Sequence, residues 1–187
     1  MGCIPICDSP LIKLLIEEKE KRWQVCILAG RKIKMNAIEE SLQRERIRGV
    51  IHNYCRAIDE RRFDDVMKSF SEEATIKHGS YDGLAKNFVG FLSNVLNKMD
   101  VTLHNLGGII VTFESDDLAH SHATFSSFHR ISGEHAQVGP VVTNGVETDW
   151  IVAGRYRDTL RLINGEWKII DRLGSTDWDR VEPSVRT

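Results

Sequence analysis

The chain has 187 residues, 41% of them apolar and 28% charged, and a formal net charge of -2. That length and balance describe one domain able to bury a core, and they offer no broad basic surface for a nucleic-acid backbone or an anionic bilayer, so neither partner is expected. The longest uncharged stretch, Val101 to Phe113, is too short to cross a bilayer as a helix, and Cys3, Cys7, Cys26 and Cys55 lack the paired short spacings of a zinc site. With three of those cysteines near the start, no disulfide framework holds the later core, and a reducing, cytoplasmic setting is expected.

Residues 1–34 differ from the rest: they carry seven basic and four acidic side chains, whereas the whole chain is net acidic. The apolar run Leu11 to Ile16 is broken by Lys13 and lacks a secretory cleavage pattern. Two readings stand, an extension outside the domain or a short amphipathic helix using Ile12, Leu15, Ile16 and Trp23 to cover a partner or the domain itself.

Asn36 followed by Glu39 forms an Asn-x-x-Glu variant of the capping box, and Ile38, Leu42, Ile47, Val50, Ile51, Tyr54, Cys55 and Ile58 then recur at helical spacing. This predicts a helix ending near Asp59. Phe63, Val66, Met67 and Phe70 mark a short second helix, Ala74 to Gly79 a strand, and Tyr81-Asp82-Gly83 a turn. A third helix has Phe88, Phe91, Leu92, Val95, Leu96 and Met99 on one face. Beyond Asp100 the pattern changes to strands over Val101 to Phe113, Leu118 to Ile131, Asp149 to Ile163 and Glu166 to Leu173. Asn164-Gly165 predicts a tight two-residue hairpin, and Ser132 to Thr148 reads as a long loop or hairpin excursion at the mouth of a cavity.

Helices first and long consecutive strands later predict an α+β fold, with a curved antiparallel sheet wrapped around the N-terminal helices as a cone-shaped barrel with an internal pocket. Gly107-Gly108 and Gly154 are candidate bulges that bend the sheet. The expected division is an N-terminal extension over 1–34, the domain over 35–175 and a C-terminal tail over 176–187.

The segments Tyr54-Cys-Arg-Ala-Ile-Asp59, Phe70-Ser-Glu-Glu-Ala74, Leu103-His104, Gly154-Arg-Tyr-Arg-Asp158 and Gly165-Glu-Trp167-Lys-Ile occur in this order. Together they resemble the SnoaL-like group of the nuclear transport factor 2-like superfamily, from about Met35 to Leu173. That superfamily includes dehydratases, isomerases, dehalogenating enzymes, dioxygenase β subunits and noncatalytic binding modules, so fold alone does not assign chemistry. In scytalone dehydratase, bile-acid dehydratase and hexachlorocyclohexane dehydrochlorinase, an Asp on the first helix orients a His on a later strand. The resemblance puts Asp59 and His104 in those places, matches Tyr54 to a Tyr of the bile-acid enzyme, and matches His129 to a second His of scytalone dehydratase. The dehydrochlorinase's catalytic Arg has no clear match, leaving Arg155, Arg157 and Arg172 as candidates for a cationic role.

A carboxylate at a helix C-terminus faces the negative end of the helix dipole, so Asp59 there calls for a cationic or hydrogen-bonding partner. Arg61 or Arg62 would make it a solvated surface acid; His104 would make it the orienting partner of a general base. Tyr54 would polarise a substrate carbonyl and His129 would protonate a departing hydroxyl. Trp150, Tyr156, Phe125 and Arg172 are the candidate substrate-binding side chains, the aromatics having core packing as their alternative. His120 and His122 have a possible metal-pair spacing but no third ligand, so neither a metal nor an organic cofactor is expected. The implied activity is a cofactor-independent dehydratase or isomerase acting on a hydrophobic cyclic ketone or alcohol, in a homo-oligomer. The alternative is a noncatalytic ligand-binding or oligomerisation module, including a dioxygenase β-subunit-like role.

Overall fold

The computed structural model describes residues 35–185; the extension expected over 1–34 lies outside them. Helix α1 (Ala37–Asp59) starts where the capping signal places it, with the Asn36 side chain accepting from the main-chain N–H groups of Ile38 and Glu39 at 3.0 Å each. Its buried face carries Ile47, Ile51, Tyr54, Cys55 and Ile58, whereas Ile38 and Leu42 are exposed, so the apolar stripe read from sequence is covered only from Gln43 onward. The far end closes as a Schellman motif: Arg61 N–H bonds the Ile58 carbonyl, Arg62 N–H bonds the Ala57 carbonyl, and Arg61 takes the left-handed conformation with φ 53°. The Arg61 guanidinium then donates to the main-chain carbonyls of Leu96 and Met99, tying the end of α1 to the stretch from Leu96 to Met99.

Helix α2 (Phe63–Met67), strands β1 (Phe70–His78) and β2 (Tyr81–Leu84) and helix α3 (Ala85–Leu96) follow. Tyr81-Asp82-Gly83 is strand rather than turn; the reversal falls just before it, at Gly79 with φ 58°. The long strands are β3 (Met99–Ser115), β4 (Leu118–Ile131), β7 (Thr148–Ile163) and β8 (Glu166–Pro183). Asn164 and Gly165 both have positive φ, 53° and 81°, as a tight hairpin with the right-handed strand twist requires. The excursion between β4 and β7 holds a small hairpin of β5 (Gln137–Val138) and β6 (Val141–Val142), whose Val138 and Val141 are buried.

The six-stranded sheet has the order β2-β1-β8-β7-β4-β3. It is mixed rather than antiparallel throughout, because β1 lies parallel to β8. No tight turn dictates the direction of that pair: the connection contains α3 and all the intervening strands, long enough for a parallel crossover. The cone is also open rather than a closed barrel, with β2 and β3 at its two edges. Register shifts at Leu106/Ile109 and Ala153/Gly154 bend the sheet where the glycines suggested, and a Cβ on Gly154 would overlap the Ser175 main-chain carbonyl oxygen. Strand β8 runs on to Pro183, pairing with β7 as far as Thr148, so residues 176–183, expected as a tail, extend the sheet.

Candidate active site

The end of α1 sets Asp59 against the free edge of β3. The His104 ring Nδ1 lies 2.6 Å from Asp59 Oδ1, and the His104 main-chain N–H donates to Asp59 Oδ2 at 2.8 Å. One carboxylate thus holds both the imidazole and the strand that carries it, and it satisfies an edge N–H that the sheet leaves without a strand partner. The side chains are 16% and 9% exposed for Asp59 and His104. The surface-acid alternative is not what the structure shows, since Arg62 pairs with Glu60 and Asp65 while Arg61 binds main-chain carbonyls. With Nδ1 donating to the carboxylate, the His104 lone pair is on Nε2, which makes no hydrogen bond among the described residues.

His129 stands on the next strand, its ring 5.7 Å from that of His104 in an edge-on arrangement. Its Nδ1 is 2.9 Å from Thr102 Oγ1 and its Nε2 3.0 Å from Ser127 Oγ, both buried contacts. Burial, with a smaller effect from His104, pushes the His129 pKa down to about 3. The Trp150 ring lies 5.2 Å from His129 and its indole N–H donates to Asp179 Oδ2 at 3.1 Å, on the part of β8 expected as tail.

The other sequence-predicted residues lie deeper. Arg172 is wholly buried and bidentate to Asp158, with Nε–Oδ1 and Nη2–Oδ2 both 2.7 Å. Its guanidinium carbon is 4.0 Å from the Tyr54 ring centroid and 4.5 Å from that of Tyr156. Burial acts to lower the Arg172 pKa, but the Asp158 charge and hydrogen bonds hold it above its ordinary value. Burial pushes the Tyr54 phenol up to about 12 and raises that of Tyr156 as well. Phe125 stacks on Tyr156 at 4.4 Å and lies 6.4 Å from the His104 ring, so it connects the two groups. Of the candidates, then, Asp59, His104, His129 and Trp150 form one cluster, and Tyr54, Tyr156 and Arg172 form another. Arg155 pairs with Asp177 away from both.

Sequence reading did not pick out Asp158 or His78. Asp158 stands in the sequence only as the last residue of the Gly154-Arg-Tyr-Arg-Asp158 segment, and its counter-ion is set by the β7–β8 register, which pairs Asp158 with Arg172. His78 faces inward because β1 lies parallel to β8, a pairing without a local sequence signal. Among the described residues, no three His, Cys, Asp or Glu side chains gather as a metal-binding group.

The open α+β cone is the fold of a nuclear transport factor 2-like domain. The SnoaL-like domain family matches residues 39–172, and the chain belongs to that family. It is 28% identical over 144 residues to the uncharacterized protein Rv2910c of Mycobacterium tuberculosis, an alignment covering 74% of this chain and 88% of that one. The fold is shared with a scytalone dehydratase-like protein of Novosphingobium aromaticivorans, at TM-score 0.65 and 19% identity over 79% of this chain and 91% of that one. It is shared also with a hexachlorocyclohexane dehydrochlorinase of Novosphingobium barchaimii, at TM-score 0.68 and 11% identity over 81% and 98% of the two chains. No helix among the described residues is long and apolar enough to cross a membrane.

Proposed function

We propose that this protein is a cofactor-independent lyase that removes water from a hydrophobic cyclic β-hydroxy ketone, with His104 as the base. The observation carrying this is the Asp59–His104 contact of 2.6 Å, which leaves Nε2 as the available lone pair. In this reading Nε2 takes the proton next to the substrate carbonyl, the C–H electron pair forms the enolate, and Asp59 stabilises the imidazolium. The enolate then expels the β-hydroxyl, which leaves as water with the proton that His104 took.

His129 is not the standing acid that sequence suggested, because a ring whose pKa is near 3 is uncharged at neutral pH. Its role is to hold Thr102 and Ser127 beside the base and, with Trp150, to form one wall. Arg172, bound to Asp158, positions Tyr54 and Tyr156 rather than the leaving group. A flat, apolar substrate suits the aromatic side chains beside the base, where Phe125 stacks on Tyr156.

The test is dehydration of a β-hydroxytetralone, whose product rearranges to a fluorescent naphthol. The wild-type chain should turn it over and His104→Gln should lower the rate by about a hundredfold or more while circular dichroism is unchanged. Equal rates in the two proteins would contradict the assignment. The wholly buried Arg172–Asp158 pair and its aromatic cover favour the second reading, a noncatalytic ligand-binding module, and a β-hydroxytetralone that binds without turnover would select it.

A further inference from the structure

His78 closes β1, and its register partner across the parallel pair is Gly174 of β8. A Cβ on Gly174 would overlap the His78 imidazole, Nδ1 first, so the missing side chain is what lets the ring lie against β8. In that position His78 Nδ1 is buried without a hydrogen-bond partner. A sealed, unpaired N–H is costlier and rarer than a sealed lone pair, so the ring proton belongs on Nε2. That nitrogen is the one not sealed, and among the described residues it too has no hydrogen bond.

The surroundings of the ring are aromatic: Tyr156 at 5.8 Å, Phe88 at 6.2 Å and Phe125 at 6.4 Å between centroids. Burial, then the nearby Arg172 and His104, push the His78 pKa down to about 4, so the donor is an uncharged imidazole. The same Phe125 ring is 6.4 Å from His104, so the proposed base and this spare donor border one aromatic side chain. These aromatic rings offer the N–H no acceptor, so its open side is where a ligand oxygen can meet it.

We propose that His78 donates a hydrogen bond from Nε2 to the carbonyl oxygen of the ligand, the atom on which negative charge collects when His104 removes the adjacent proton. The assignment rests on the reading of His104 as base and adds the group that stabilises the enolate. The carbon–hydrogen pair moves into the new C=C bond, the carbonyl π pair moves onto the oxygen facing His78, and the proton resides on His104 until the hydroxyl departs with it.

The probe is α-naphthol, an aromatic enol that carries the oxygen without being turned over, titrated by fluorescence against the full chain. Wild type should bind it, His78→Phe should bind about tenfold more weakly, and His78→Gln, which retains an N–H donor, should recover most of that loss. Isotope-edited NMR of the unliganded wild-type chain should show His78 as the Nε2–H tautomer, a readout that does not depend on any variant folding. Unchanged binding by His78→Phe, no binding by wild type, or an Nδ1–H tautomer would each overturn the proposal. Unchanged β-hydroxytetralone turnover in His104→Gln with the His78 effect intact would instead sink the base assignment and leave the donor standing.

Discussion

Two carboxylates inside this cone each hold a nitrogen-bearing side chain, and the differences between the two pairs separate chemistry from architecture. Asp158 and Arg172 are both wholly buried, meet through two 2.7 Å bonds, and have the Tyr54 and Tyr156 rings packed on the guanidinium. Asp59 and His104 are 16% and 9% exposed, and the imidazole retains an unused nitrogen. The first pair is tied up by its counter-ion and its aromatic cover. The second has its orientation fixed on one side and its lone pair available on the other, which is what a base requires. The arginine pair has the more contacts of the two, but the unused capacity of the histidine is what marks the site.

The largest effect should come from breaking the buried pair. Arg172→Met strands the Asp158 carboxylate in the core and should destabilise the fold by about 3–5 kcal/mol in urea unfolding, whereas Arg172→Met with Asp158→Leu should cost less than the single change. A single-variant loss below about 1 kcal/mol would erase the contrast between the pairs. Next, Asp59→Asn should slow β-hydroxytetralone turnover about a hundredfold while changing stability by about 1 kcal/mol, since the amide oxygen can still accept the His104 main-chain N–H. A stability loss equal to that of Arg172→Met would make Asp59 another architectural acid.

The pH response sharpens the same distinction. His78 and His129 fall from an ordinary 6.5 to about 4 and about 3, so below pH 6.5 the unfolded chain takes up protons that the native state refuses. Stability is therefore complete above that pH and declines as the pH falls, until His78 and then His129 become protonated in the folded state. Between pH 6.5 and about 5, above the usual carboxylate range, His129→Phe should make the decline in the urea midpoint shallower. An identical slope would place His129 in a more hydrated setting. The smallest effect is that of Trp150→Phe, which loses the 3.1 Å bond to Asp179 and should cost about 1 kcal/mol with turnover nearly unchanged.

Much of this arrangement was legible from sequence wherever the signal was local. The Asn36 cap, the helix end at Asp59, the Asn164-Gly165 hairpin and the glycine bulges each depend on a few adjacent residues, and each lies where the spacing places it. The pairing of Asp59 with His104 came from resemblance, because 45 residues separate them and nothing local links them. What escaped depends on strand pairing between distant segments. The parallel β1–β8 register turns His78 inward opposite Gly174, and the β7–β8 register joins Asp158 to Arg172. Trp150 gained its partner only because β8 continues past residue 175. Parity along one strand says which residues share a face; it does not say which strand covers them.

The most direct test of His104 as base is exchange of the carbonyl-adjacent protons of α-tetralone, which has no β-hydroxyl to expel and so returns from its enolate, in deuterium oxide, followed by NMR with wild type and His104→Gln. The assignment of His104 as base predicts deuterium uptake catalysed by wild type and lost in the variant. Exchange at the same rate in both proteins, or none above the buffer rate with wild type, would contradict it.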